Sequence, residues 1–138
     1  MHDLKKLNQS ITEFYDKMSS WEQSVVKETA YSLAQTHTIE VLGAHGALRM
    51  KQLAKKLGIT TGTLTVQVDK LVNLGLIVRC PHSEDRRVIV VKLTDAGEQI
   101  HRQHNQLHLD LMHDITGDIS PEQVLILTTC LDRMNQEF

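Results

Sequence analysis

Three groups of side chains in this 138-residue chain have types and spacings suited to chemistry. The first is Asp85, Arg86 and Arg87, in a polar turn that begins at His82. A guanidinium raised on a turn can enter a narrow minor groove of duplex DNA, where the negative potential is strongest. A carboxylate two residues away can hold that guanidinium in one geometry through a bidentate pair. The second group is Thr61, Gly62, Thr63, Thr65, Val66, Gln67 and Lys70. Short hydroxyl residues at a helix start can approach phosphates and base edges closely, and Gly62 lets the backbone do the same. Gln67 carries an amide that can pair bidentately with adenine, and threonine methyls can meet the thymine methyl. Lys70 suits a phosphate. The third group is His104 and His108, four residues apart. Two imidazoles at that spacing can bind one Zn²⁺ from a single helix face, with His37, Glu28 or Glu40 completing the set.

Each group also has a plainer reading. The turn can be an ordinary charged hairpin, and the threonines can be caps and solvated surface. The histidines can pack on an apolar stripe, hydrogen-bonded, at an interface between two copies. That last reading is favoured over a metal site, because a regulatory zinc needs three or four ligands.

The elements around the first two groups decide in their favour. Residues 53–60 end a short helix and make a tight turn, with Thr60 placed to cap a second helix. That helix spans residues 61–71, and its apolar side, Leu64, Val68, Leu71 and Val72, packs on Leu53 and Leu57. Gly75 suits a left-handed stop. Ile77, Val78 and Arg79, and then Val88 to Val91, are β-branched runs on either side of the charged turn, so they form one antiparallel ribbon. That order is a winged helix-turn-helix, with a helix for the major groove and a wing for the minor groove.

Helices flank this reader. Leu4, Leu7, Ile11, Phe14, Tyr15, Met18 and Val25 recur at helical spacing from about Leu4 to about Lys27. Further helices are expected over Leu33–Ala44 and Met50–Leu57, and the fourth runs to about Asn73. Thr94 caps a fifth helix with the stripe Ile100, Leu107, Leu111 and Ile115. Gly117 and Asp118 break it. Ser120 to Gln123 forms a capping box with proline at the first helical position, opening a sixth helix faced by Val124, Leu127, Leu131 and Met134. The fold class is mainly α with a small β-ribbon (α+β), within a single domain of residues 1–138. The DNA-binding lobe is expected at about 33–93, and a helical dimerisation region at about 1–32 and 94–138. The terminal apolar stripes exceed what a small winged-helix core can cover, so a homodimer is expected, reading a pseudo-palindrome in double-stranded DNA.

The charge distribution agrees. The chain carries a formal −2, but Arg49 to Lys92 holds nine basic and three acidic residues, or +6, leaving −8 elsewhere. Phosphate binding needs a local positive surface rather than a positive whole. Cys80 and Cys130 fit no metal-ligand spacing and are read as reduced thiols. No apolar run approaches the roughly 20 residues that span a bilayer, and Met1 onward reads as an amphipathic helix rather than a signal peptide. A cytoplasmic protein without a membrane partner is expected. No nucleophile–base pair, phosphate loop or carboxylate pair suggests an enzyme.

On these residues the chain resembles the MarR family of bacterial transcriptional regulators, over essentially its whole length. The specific part is an Asp-x-Arg wing, Asp85 and Arg87, followed by a Leu-Thr-x-x-Gly helix start at Leu93, Thr94 and Gly97. The resemblance implies that Arg87 enters the minor groove with Asp85 supporting it. It also implies dimerisation through the terminal helices, and repression released by a small ligand held between those helices and the reader. Within the family, residues 37–40, 62–65 and 100–108 resemble repressors of fatty-acid synthesis that respond to acyl-carrier protein. His104 and His108 resemble the zinc-responsive members, although Val41, Gln23 and Thr29 stand where that pattern has metal ligands. The redox-sensing branch uses a cysteine near the N-terminus, where this chain has none. A winged-helix protein-interaction module without DNA binding is the alternative of a different class.

Overall fold

Capping side chains set where the helices begin. The computed structural model describes residues 3–138, and the first two residues of the expected amphipathic start, Met1 and His2, lie outside them. Asp3 accepts from the Lys6 amide and opens α1 (Leu4–Lys27). Ser32 and Gln35 form a reciprocal capping box at the start of α2 (Leu33–His45). The two-residue strand β1 (Leu48–Arg49) leads into α3 (Met50–Leu57), and Thr60 then accepts from the Thr63 amide at 3.1 Å to open α4 (Thr61–Asn73). A ribbon comes next, β2 (Ile77–Pro81) and β3 (Ile89–Leu93), and then α5 (Asp95–Ile115) and α6 (Pro121–Gln136). Each such cap satisfies an amide that the helix leaves unpaired, stabilising it by about 1 kcal/mol.

The sheet is antiparallel with the order β1-β3-β2. Leu48 pairs with Val91, and Arg79 pairs with Val91 from the other side, which makes β3 central. Strand β1 was not expected, since two residues are too few to show a period of two. Gly75 has φ +74°, so the chain turns out of α4 in the left-handed region that a side chain resists. Thr94 joins that turn to the next helix: its hydroxyl donates to the Gly75 carbonyl at 2.6 Å and accepts from the Gly97 amide at 3.2 Å.

Two compact units divide the chain, Met1–His101 and Arg102–Phe138. The core of the first is aliphatic. Ile39 and Leu42 from α2, Leu53 from α3, Leu64, Val68 and Leu71 from α4, and Ile77 and Val91 from the sheet are fully buried. Each such side chain contributes roughly 1.5–3 kcal/mol relative to exposure. In the second unit, Ser120 and Gln123 form the expected capping box with Pro121 at the start of α6. Among the described residues, six helices and a three-stranded sheet thus give the winged-helix architecture expected of the chain.

Candidate nucleic-acid interface

Helix α4 presents a defined face because its other face is pinned. Leu64, Val68 and Leu71 are each 0% exposed, so Thr61, Gly62, Thr63, Thr65, Val66 and Lys70 are left on the surface. The sequence-derived residues therefore lie on one helix, with Gln67 at the border of the buried face. Gln67 is half-buried, and its Oε1 lies 3.2 Å from the hydroxyl of the buried Thr38 on α2. That hydroxyl also lies 2.9 Å from the Ala34 carbonyl and shares its one proton between the two acceptors. Asp69, on the surface of the same helix, pairs with Arg79 of β2 and ties the helix to the wing strand. Sequence reasoning missed this pair, although opposite charges ten residues apart on adjacent elements were a usable signal.

The wing is the hairpin between β2 and β3. The His82 amide donates to the Val88 carbonyl at 2.7 Å, and the Val88 amide donates to the Asp85 carbonyl at 3.0 Å, which closes the turn. Inside it, Arg87 donates from Nε to Asp85 Oδ1 at 3.1 Å, and from Nη2 to Oδ2 at 3.2 Å. The Arg87 amide adds a third bond to the same carboxylate at 3.1 Å. The guanidinium is therefore oriented while its side chain stays 91% exposed. The Arg87 guanidinium, and next the Arg87 amide, hold the Asp85 carboxyl below the usual aspartate range, with smaller help from the charges of His82 and Arg49. Partial desolvation works weakly the other way. Arg86, beside it, is exposed.

The third group is partly brought together. His104 and His108 on α5 face each other through their Nε2 atoms at 3.2 Å, with ring centroids 4.8 Å apart in an edge-on arrangement. Such a contact needs one protonated nitrogen and one lone pair. His37 sits exposed on α2. Another histidine, His101, pairs with Glu40.

Known proteins share sequence and fold with this chain. Residues 31–89 match the MarR family model. The chain is 34% identical to the multiple antibiotic resistance protein MarR of Escherichia coli over 84 residues, 60% of this chain and 58% of that one. It thus spans about three fifths of the length of the curated relatives it matches. Among solved structures, Streptococcus pneumoniae FabT in complex with DNA is 28% identical with a TM-score of 0.79, over 97% of this chain and 96% of that one. A MarR family protein of Bacillus stearothermophilus superposes with a TM-score of 0.86 at 19% identity, over 99% of this chain and 97% of that one, a likeness of fold.

Proposed function

This chain belongs to the MarR family, and on that premise we propose that it is a dimeric, sequence-specific DNA-binding transcriptional regulator, acting as a repressor on a pseudo-palindromic operator. Helix α4 enters the major groove and the β2–β3 wing enters the minor groove. The observation that carries this reading is the Asp85–Arg87 pair, which holds a 91% exposed guanidinium in a fixed direction at the tip of the wing. An arginine placed in that way fits a narrow, electronegative groove. The +6 segment around it supplies the positive surface. The FabT neighbour, solved in complex with DNA, supports DNA binding.

Residues of about 33–93 are the DNA-binding lobe, and those of about 1–32 and 94–138 make the homodimer. In support, α1 leaves Leu4, Leu7, Ile11, Phe14 and Tyr15 exposed, and α6 leaves Leu125, Ile126 and Leu127 exposed. Apolar stripes of that length mark an interaction surface, and a second copy is the commonest partner of such a surface. No described helix is long and apolar enough to cross a membrane, and a cytoplasmic site of action is part of the proposal. An effector, a small ligand or acyl-carrier protein, shifts the dimer between geometries that do and do not match successive major grooves. The resemblance of residues 37–40, 62–65 and 100–108 to repressors of fatty-acid synthesis supports the acyl species.

Zinc control is the second reading, favoured by the two Nε2 atoms at 3.2 Å. An electrophoretic shift on DNA from this gene's own upstream region tests both, with and without zinc and long-chain acyl-carrier protein. A shift tightened by the acyl species supports the first effector. A shift that needs zinc and disappears with His104→Ala supports the second. In the same assay Arg87→Ala weakens binding about tenfold or more. Equal binding by the variant removes Arg87 from the contact, whereas no shift under any condition favours a protein-interaction module instead.

A further inference from the structure

Several hydrogen-bonding groups on the surface of α4 are already engaged within the protein. The inward end of the Gln67 amide faces Thr38 at 3.2 Å. Turning the amide over puts its nitrogen in the same place, so in either orientation one prong is directed at α2. The two-pronged contact with adenine needs both. The Thr65 hydroxyl donates to the Thr61 carbonyl at 2.8 Å, back along its own helix. The Thr60 hydroxyl donates to the Thr63 hydroxyl at 3.0 Å and caps the Thr63 amide at 3.1 Å. The Asp69 carboxylate is held by Arg79.

What projects from the middle of this face is apolar. Val66 is 57% exposed in a helix whose other aliphatic side chains near it, Leu64 and Val68, are fully buried. Beside it, the methyl of Thr65 is the part of that side chain not turned to the backbone. The exposed part of that isopropyl group adds nothing to the stability of the free protein. In the major groove, one base presents an apolar group to meet it: thymine, through its C5-methyl.

We infer that the protein selects its DNA by thymine methyl groups, with Val66 as the specificity-determining contact and the Thr65 methyl beside it. This rests on the DNA-binding reading above and deepens it. Gln67 becomes a positioning residue that fixes α4 against α2, and Lys70 supplies a sequence-independent phosphate contact.

The test begins by selecting tight-binding duplexes from a random pool with the full-length protein. The selected duplexes are then remade with deoxyuridine in place of thymine, which removes the methyl and nothing else. Thymine at the positions facing α4, with about fourfold weaker binding for each methyl removed, is the expected result; that is the factor carried by burial of one methyl-sized group. Val66→Ala, a surface change that leaves the core intact, should erase the difference between the thymine and uracil duplexes at one position. Equal affinity of the wild-type protein for both duplexes overturns the inference and leaves DNA binding standing. A pool that yields no bound duplex overturns the DNA-binding reading itself. Discrimination that survives Val66→Ala removes Val66 from the role and overturns the assignment.

Discussion

The ring of His101 lies directly over Gly43, one turn of helix from its hydrogen-bond partner Glu40. His101 Nδ1 and Glu40 Oε1 are 3.4 Å apart, and both side chains are largely buried. A Cβ added at Gly43 would collide with that ring. Gly43→Ala should therefore destabilise the protein by about 1–3 kcal/mol, the usual cost of overpacking a tight contact. The gain in helix propensity at that position, about 1 kcal/mol, offsets part of it. Urea unfolding reads the balance, and an unchanged midpoint would show that the His101 ring simply swings away.

Arg87→Ala should lower DNA affinity about tenfold or more while leaving the melting temperature unchanged, because the guanidinium is exposed. The salt slope of log affinity should fall by about one unit if the guanidinium faces a phosphate-lined groove. Titration of binding against salt, for wild type and variant, distinguishes loss of a specific contact from unfolding. A lower melting temperature would place the residue in the fold instead.

Acid should release the Arg87 guanidinium from Asp85, and only below the ordinary aspartate range. The Asp85 carboxyl is depressed below its ordinary value, chiefly by the Arg87 guanidinium. The interaction is therefore fully present above the unfolded-state aspartate pKa and is lost as pH falls through the depressed folded value. Carboxyl chemical shifts of Asp85 across an acid titration should show a midpoint below that of a model aspartate. The Asp85→Asn variant should bind DNA more weakly at neutral pH, with the guanidinium present but no longer held.

Gly62 offers a test in which two effects oppose. A Cβ at that position meets nothing nearer than the Thr60 hydroxyl at 4.0 Å. Gly62→Ala should then stabilise the free protein by up to about 1 kcal/mol, since alanine loses less backbone freedom in a helix. DNA affinity should fall in the same variant, because the added methyl stands where the backbone approaches the duplex. Thermal melting and binding on one preparation decide it. Stabilisation with unchanged affinity would remove Gly62 from the interface.

Gln67→Ala should cost about 0.5–1.5 kcal/mol of stability, the net worth of a partly buried hydrogen bond. It should reduce affinity through looser placement of α4 rather than by changing the bases preferred. Repeating the duplex selection with the variant would reveal a direct reader, if Gln67 were one, as altered base preference at one position.

Much of this was legible in the sequence because it is local. The bounds of α3 and α4 follow from Gly58, Thr60 and an apolar face repeating every three or four residues. The wing shows itself through β-branched runs around a charged turn. Asp85 and Arg87 are two residues apart, so their pairing needs no tertiary information. What escaped is long-range or too short. Thr38 and Gln67 are 29 positions apart, and no periodicity brings them together. Gln67 sits at the border of the buried face, where a long polar side chain can turn either way. Strand β1 exists only because β3 lies beside it. The Ser32–Gln35 capping box was readable from its spacing and went unread.

The strand order has a consequence for aggregation. With β3 in the centre, the sheet ends on one side in the two-residue β1 and on the other in β2. Strand β2 finishes at Pro81, which has no amide to donate, and carries Arg79 anchored to Asp69. A stub on one edge, and a charged, proline-ended strand on the other, are poor templates for another chain. Neither edge can readily grow into a larger sheet, so a solution of this protein can be concentrated with its ribbons staying separate. The self-recognition proposed above is thereby left to the helices.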